Sequence, residues 1–178
     1  MKKFILGLIV GWVLIPAGAL VFIKAGMVPV ATSAPPLPFE KALAKMALSS
    51  KVTKEAPKNV PFTPDEQTYV EGAQTYRQNC AVCHSLPQQQ PTAVANGMYP
   101  NPPQFFKGQG VTDDPPGEIY WRVANGIRLT GMPGFGKSLS ENQLWQVSLL
   151  LANADKLPES AQQVLADPSE TTQVPKAK

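Results

Sequence analysis

At 178 residues with 43% apolar content, the chain has room for one compact domain and a good deal of sequence besides. Its net charge of +3 is small and no Lys/Arg block is interleaved with aromatics, which excludes the electrostatic footprint of a nucleic-acid binder. Two cysteines and one histidine exclude a four-thiolate iron–sulfur cluster within one chain, and a four-ligand zinc site would have to borrow carboxylates or a second chain.

In chain order, Lys2 and Lys3 precede a charge-free run of twenty residues, Phe4 to Ile23, closed by Lys24. As a helix this run could cross about 30 Å of hydrocarbon. Basic residues ahead of it favour a cytoplasmic N-terminus, so residues 1–24 are expected to be a single-pass anchor in the inner membrane, touching lipid through residues 4–23. Everything after Lys24 would then lie on the outer, periplasmic face. A cleaved secretory signal is the rival, since Ala17, Gly18 and Ala19 offer an A-x-A pattern. The run exceeds the usual signal core of about 7 to 15 residues, and cleavage after Ala19 would leave Leu20 to Ile23 as an apolar stub, which favours the anchor. A buried core helix is disfavoured because the run is apolar on every face and carries a positive flank.

Residues 25–62 are rich in Pro, Ala, Ser and Lys and are expected to form a flexible linker, with a short amphipathic patch around Phe39 to Leu48. Three helices are expected after it. The first takes Thr63 as N-cap, Pro64 at the first helical position and Glu66 as the third residue of a capping box. The second covers Gly117 to Asn125 and stops at Gly126. The third starts at Ser140, with Gln143 completing a capping box, and carries Leu144, Trp145, Val147, Leu149 and Leu151 to about Asn153. No alternating strand pattern occurs, so the domain over 63–153 is expected to be all-α with long, proline-rich loops. Between Asp65 and Asn153 there are five basic and seven acidic residues, so this domain is mildly acidic. Residues 154–178 read as a polar tail with at most a short helix around Glu159 to Ala166.

The first of these helices runs into Cys80-Ala81-Val82-Cys83-His84. This C-x-x-C-H spacing is that of covalent haem c attachment: each thiol adds across a porphyrin vinyl group, and the adjacent His84 falls beneath the iron as an axial ligand. A thioredoxin-like redox pair is the alternative for the two cysteines, but no strand precedes them and such a pair has no need of the chain's one histidine. A second axial ligand is then sought among five methionines. Met1, Met27 and Met46 lie in the anchor and linker, leaving Met98 and Met132. Met132 sits in Leu129-Thr130-Gly131-Met132-Pro133-Gly134-Phe135-Gly136, a Gly/Pro-rich loop suited to presenting a side chain from rigid backbone, and is preferred. The bland role for Met132 is a gap-filling core residue.

Cys80 to His84, Gly131-Met132-Pro133 and the helix pattern together resemble the class I cytochrome c family over residues 63–153. That family carries a Gly and an aromatic residue eight and four positions before the first cysteine, and Gly72 and Tyr76 hold those places. The resemblance implies a cytochrome c fold of about three helices around one haem c, with Gly72 and Tyr76 meeting Trp145 and Leu144 or Leu149 where the terminal helices cross. The segment from Ile119 to Ile127, with Gly131-Met132-Pro133 after it, is similar to small bacterial respiratory cytochromes c. By the same resemblance Pro102, Pro103, Phe105 and Trp121 would contact the haem. The loop from Ser85 to Gln109 does not map onto the family residue by residue, and the family's ring of lysines is missing, so docking by a basic rim is not expected.

The function so implied is one-electron, outer-sphere transfer in a respiratory chain, as a tethered shuttle or a cytochrome subunit of a membrane complex. Its partners would be redox proteins, with no small-molecule substrate and no catalytic residues of its own. The alternative is a haem-based enzyme or small-ligand sensor with a displaceable sixth ligand. A third possibility is an assembly subunit whose haem is idle.

Overall fold

The structure is a computed structural model, and it describes residues 1–167, apart from the side chains of Leu6 and Leu8. The expected tail over 154–178 lies outside the described residues from 168 onward. Two compact units divide at Lys41 and Ala42.

In the first unit α1 spans Lys2–Lys24, and its 23 residues are long and apolar enough to cross a bilayer by length and composition. Phe4, Trp12, Ile15 and Val21 stand exposed along it.

The second unit is all-helical among the described residues. It contains most of α2 (Glu40–Glu55), then α3 (Glu66–Asn79), α4 (Ala81–His84), α5 (Ala93–Asn96), α6 (Pro116–Asn125), α7 (Glu141–Ala152) and α8 (Glu159–Ala166). Helices α3 and α7 cross at the centre, with α6 packed on α7 and α8 on α3. Ala73, Tyr76, Leu144, Val147 and Leu150 fill the crossing. The crossing is close because α3 presents Gly72: a Cβ there would stand 2.4 Å from the Gln146 carbonyl oxygen and 3.2 Å from Leu150 Cβ. Gly72 thus meets Gln146 and Leu150, while Trp145 stacks on Tyr120 of α6, ring centroids 4.4 Å apart.

The helix caps follow local chemistry. Ser140 accepts from the Gln143 N–H while the Gln143 side chain accepts from the Ser140 N–H, the capping box expected. For α3 the cap is Asp65 and not Thr63. Its carboxylate accepts from the Thr68 N–H at 2.8 Å and the Thr68 hydroxyl accepts from the Asp65 N–H at 3.2 Å, a reciprocal pair.

Two segments expected to be linker or tail carry helices with buried faces. In α2 Val52 is fully buried, Ala56 beyond its end is buried too, and Glu55 accepts a hydrogen bond from the Trp121 indole N–H at 3.3 Å. The apolar positions Leu48, Val52 and Ala56 recur every four residues, enough to make one helical stripe inside an otherwise polar stretch. Helix α8 buries Ala161 and Leu165, and the buried Arg77 of α3 donates to the carbonyls of Val164 and Asp167 at its C-terminal end. A guanidinium on the last carbonyls of a helix satisfies orphan acceptors and complements the helix dipole.

Candidate functional site

The C-x-x-C-H segment is one helical turn. Cys80 ends α3 and begins α4, and its carbonyl accepts from the N–H groups of Cys83 (3.1 Å) and His84 (2.9 Å). Positions i, i+3 and i+4 of a helical turn share a face. Cys80, Cys83 and His84 therefore line one cavity of about 320 Å³, within the range of about 300–1,000 Å³ common for cofactor sites.

The backbone beyond the motif is tied down from inside. Ser85 adopts φ +58°, and its carbonyl accepts from the Tyr76 hydroxyl at 2.7 Å, with the His84 carbonyl 3.2 Å from the same oxygen. Tyr76 is itself fully buried and meets Phe106 edge to face. The aromatic residue four positions before Cys80 thus fixes the exit from the motif.

His84 is held on two sides. Its Nδ1 lies 2.8 Å from the Pro103 carbonyl and its ring stacks on Phe105, centroids 4.5 Å apart. A carbonyl accepts only, so Nδ1 carries the proton and the Nε2 lone pair is left for a metal. Burial holds the imidazole below its ordinary pKa, against the opposing effect of the Pro103 carbonyl, and so keeps it in the neutral form a metal requires. Between these contacts Gln104 donates to the carbonyls of Cys83 and Pro102.

Burial pushes the Cys80 thiol up to about 12, with Cys83 adding a smaller upward effect, and burial raises Cys83 as well. Redox-active C-x-x-C pairs need a depressed thiol pKa, so this turn lacks the electrostatics of a dithiol catalyst.

Met132 lines the same cavity. Its loop is pinned to the end of α6, where Phe135 and Gly136 donate to the carbonyls of Val123 and Ala124, each at 2.9 Å. The Met132 N–H donates to the Thr130 hydroxyl at 3.1 Å and its carbonyl accepts from the Ile127 N–H at 3.2 Å. Met98 also lines the cavity.

Pro102, Pro103 and Phe105 all reach the cavity wall. Trp121 does not. Helix α6 turns Ile119, Arg122 and Val123 to the cavity, an i, i+3, i+4 stripe, and Trp121 falls on the opposite side of the helix, where its indole meets Glu55. Arg122 pairs with Asp114 at 3.0 Å and Glu118 at 3.1 Å. Sequence reasoning missed Ile119, Arg122, Val123 and Leu151 as wall residues; the apolar stripe of α6 was the available signal. Among the described residues no group of three or more His, Cys, Asp or Glu could hold a metal ion by themselves. The donor set fits haem iron: one oriented neutral imidazole, two thioethers within reach of the cavity, and two thiols for covalent attachment.

Comparison with known proteins agrees. The family described as cytochrome C oxidase, cbb3-type, subunit III, matches residues 67–149. No curated protein sequence matches. Among solved structures, a chain of the reducing HAO-like protein complex of Kuenenia stuttgartiensis is similar at 24% identity and a TM-score of 0.46, over 53% of this chain and 47% of that one. The chain thus spans about half the length of that relative. The C-x-x-C-H turn, the cavity it lines and the family match agree over one stretch: residues 67–149 form a class I c-type cytochrome domain, whose haem c would be attached covalently at Cys80 and Cys83, the two cysteines with the C-x-x-C-H spacing.

Proposed function

We propose that the protein is a membrane-anchored electron carrier of a respiratory chain, with His84 and Met132 as the two axial ligands of its haem and no substrate turned over at the iron. The observation that carries this is that an imidazole with a free Nε2 lone pair and the thioether of a backbone-pinned loop line one cavity. The haem supplies a one-electron iron couple when bound.

The chain's residues do the rest. Pro103 fixes the His84 tautomer, Phe105 fixes the ring plane, and the Val123 and Ala124 carbonyls hold the Met132 loop. Two side-chain ligands leave no vacancy for oxygen or another small ligand, and thioether ligation favours reduced iron relative to a second imidazole. Apolar walls such as Ile119, Val123 and Leu151 act in the same direction by excluding water.

In this proposal residues 1–24 anchor the protein, with Lys2 and Lys3 cytoplasmic and the domain over 63–153 periplasmic. Residues 25–39 form the free part of the linker, since α2 already buries Val52 and engages Trp121. Redox proteins at the same membrane are the partners, either as diffusing donors and acceptors or as subunits of one complex.

Carbon monoxide tests the six-coordinate state. Reduced, haem-loaded wild type is expected to combine with it only slowly, limited by departure of Met132, while Met132→Ala combines rapidly. Wild type reacting as fast as Met132→Ala would overturn the proposal and favour a ligand sensor or haem enzyme.

A further inference from the structure

The loop from Ser85 to Gln109, which the family pattern does not map, leaves the haem-attachment turn and through Met98 touches the loop of Met132. Thr92 donates through its hydroxyl to the carbonyl of Val82, the residue between Ala81 and Cys83, at 2.7 Å. The same hydroxyl accepts from the Ala95 N–H at 3.1 Å and starts α5. Ala95 is buried, and its carbonyl accepts from the Met98 N–H at 3.3 Å. Met98 is therefore placed by a turn that is itself bonded to the C-x-x-C-H segment.

The far end of Met98 rests on Gly131. A Cβ at Gly131 would stand 1.8 Å from the Met98 terminal methyl and 3.4 Å from its sulfur. The methyl occupies the space a side chain would need, one residue before Met132. Met98, Gly131 and Met132 all line the one cavity. A continuous path thus runs from Val82 through Thr92, Ala95 and Met98 to Gly131 and Met132.

We infer that Met98 is a positioning residue for the sixth ligand: its side chain, wedged on Gly131, holds the Met132 loop in the cavity, and it is bulk rather than sulfur that this role requires. The inference rests on Met132 being the axial ligand. A methionine suits the place because its unbranched chain fills an irregular gap.

The test uses the full-length, haem-loaded protein, with haem content confirming that each variant has matured. Two signals are read: the weak red absorption of ferric iron bonded to a thioether, and the rate at which the reduced protein combines with carbon monoxide. Met98→Ala is expected to weaken the red band and to speed combination about tenfold or more, since the rate follows the population with Met132 off the iron. Met98→Leu, which keeps the bulk and loses the sulfur, is expected to stay close to wild type.

If Met98→Ala leaves both signals unchanged while wild type shows the band, the inference fails and ligation by Met132 stands. If Met98→Leu loses the band as fully as Met132→Ala does, sulfur and not bulk is what matters, and the inference fails. A wild type without the band overturns the ligation by Met132 and the positioning role with it.

Discussion

Replacing Gly72 by Ala adds one methyl group to α3 at the point where α7 passes closest. The new Cβ would stand 2.4 Å from the Gln146 carbonyl oxygen and 2.9 Å from its carbon. A tolerable carbon–oxygen contact is about 3.3 Å, so the helices must separate by roughly 1 Å. A gap of about 0.5–1 Å forfeits a quarter to a half of the dispersion energy of the contacts it opens, and overpacking of this kind costs about 1–3 kcal/mol. The obstacle is backbone, which cannot swing aside, so the upper end applies. Against it stands about 1 kcal/mol gained because Ala is the better helix former. The net expectation is a loss of about 2 kcal/mol, or ~8–16 °C in the thermal midpoint of a domain this size. Thermal unfolding of the haem-loaded protein, monitored by far-ultraviolet circular dichroism, reads this directly. Gly97→Ala is the control: its Cβ would meet nothing closer than 3.4 Å, and no change beyond about 0.5 kcal/mol is expected. A Gly72→Ala protein as stable as wild type would show that the crossing is not set by this contact.

Tyr76→Phe removes the hydroxyl that donates to the Ser85 carbonyl inside the core, and a buried acceptor left unpaired costs about 1–3 kcal/mol. Chemical denaturation should show that loss, and an unchanged midpoint would mean the Ser85 turn holds itself. Asp65 gives the fold a pH dependence, because its carboxyl is held below its ordinary pKa chiefly by the hydrogen bond from the Thr68 side chain, with the Thr68 backbone adding to it. A carboxyl depressed in the folded state stabilises the fold fully above its unfolded pKa of about 4 and loses that contribution as pH falls through the lower folded value. The thermal midpoint of wild type should thus lose its advantage over Asp65→Asn as the pH is lowered below about 4. A pH-independent difference between the two would contradict this.

Features whose chemistry is local could be read from the chain. The C-x-x-C-H turn needs only five consecutive residues, and the Ser140 cap only four. Asp65 was passed over because Thr63, Pro64 and Glu66 fit the more familiar template, while a capping box closed by a threonine at the third position is easily missed. Features that depend on distant partners could not be read. The burial of Arg77 requires α8, some 90 positions further on, and Arg77 and Val164 are joined only in the folded chain. The short helix expected around Glu159 to Ala166 is α8, but the packing of α2 and α8 could not be read, since α2 buries only Val52 and α8 only Ala161 and Leu165 in otherwise polar sequence. Trp121 was placed at the haem by resemblance to the family, whereas helical phase decides which way a side chain points, and phase selects Ile119, Arg122 and Val123.

Whether His84 and Met132 together make this cytochrome a six-coordinate electron carrier is decided by the optical spectrum of the oxidised, haem-loaded protein, taken on wild type and Met132→Ala. The weak red iron–thioether band is expected in wild type and its loss in the variant. A wild type without that band, or a band that survives Met132→Ala, would contradict ligation by this pair.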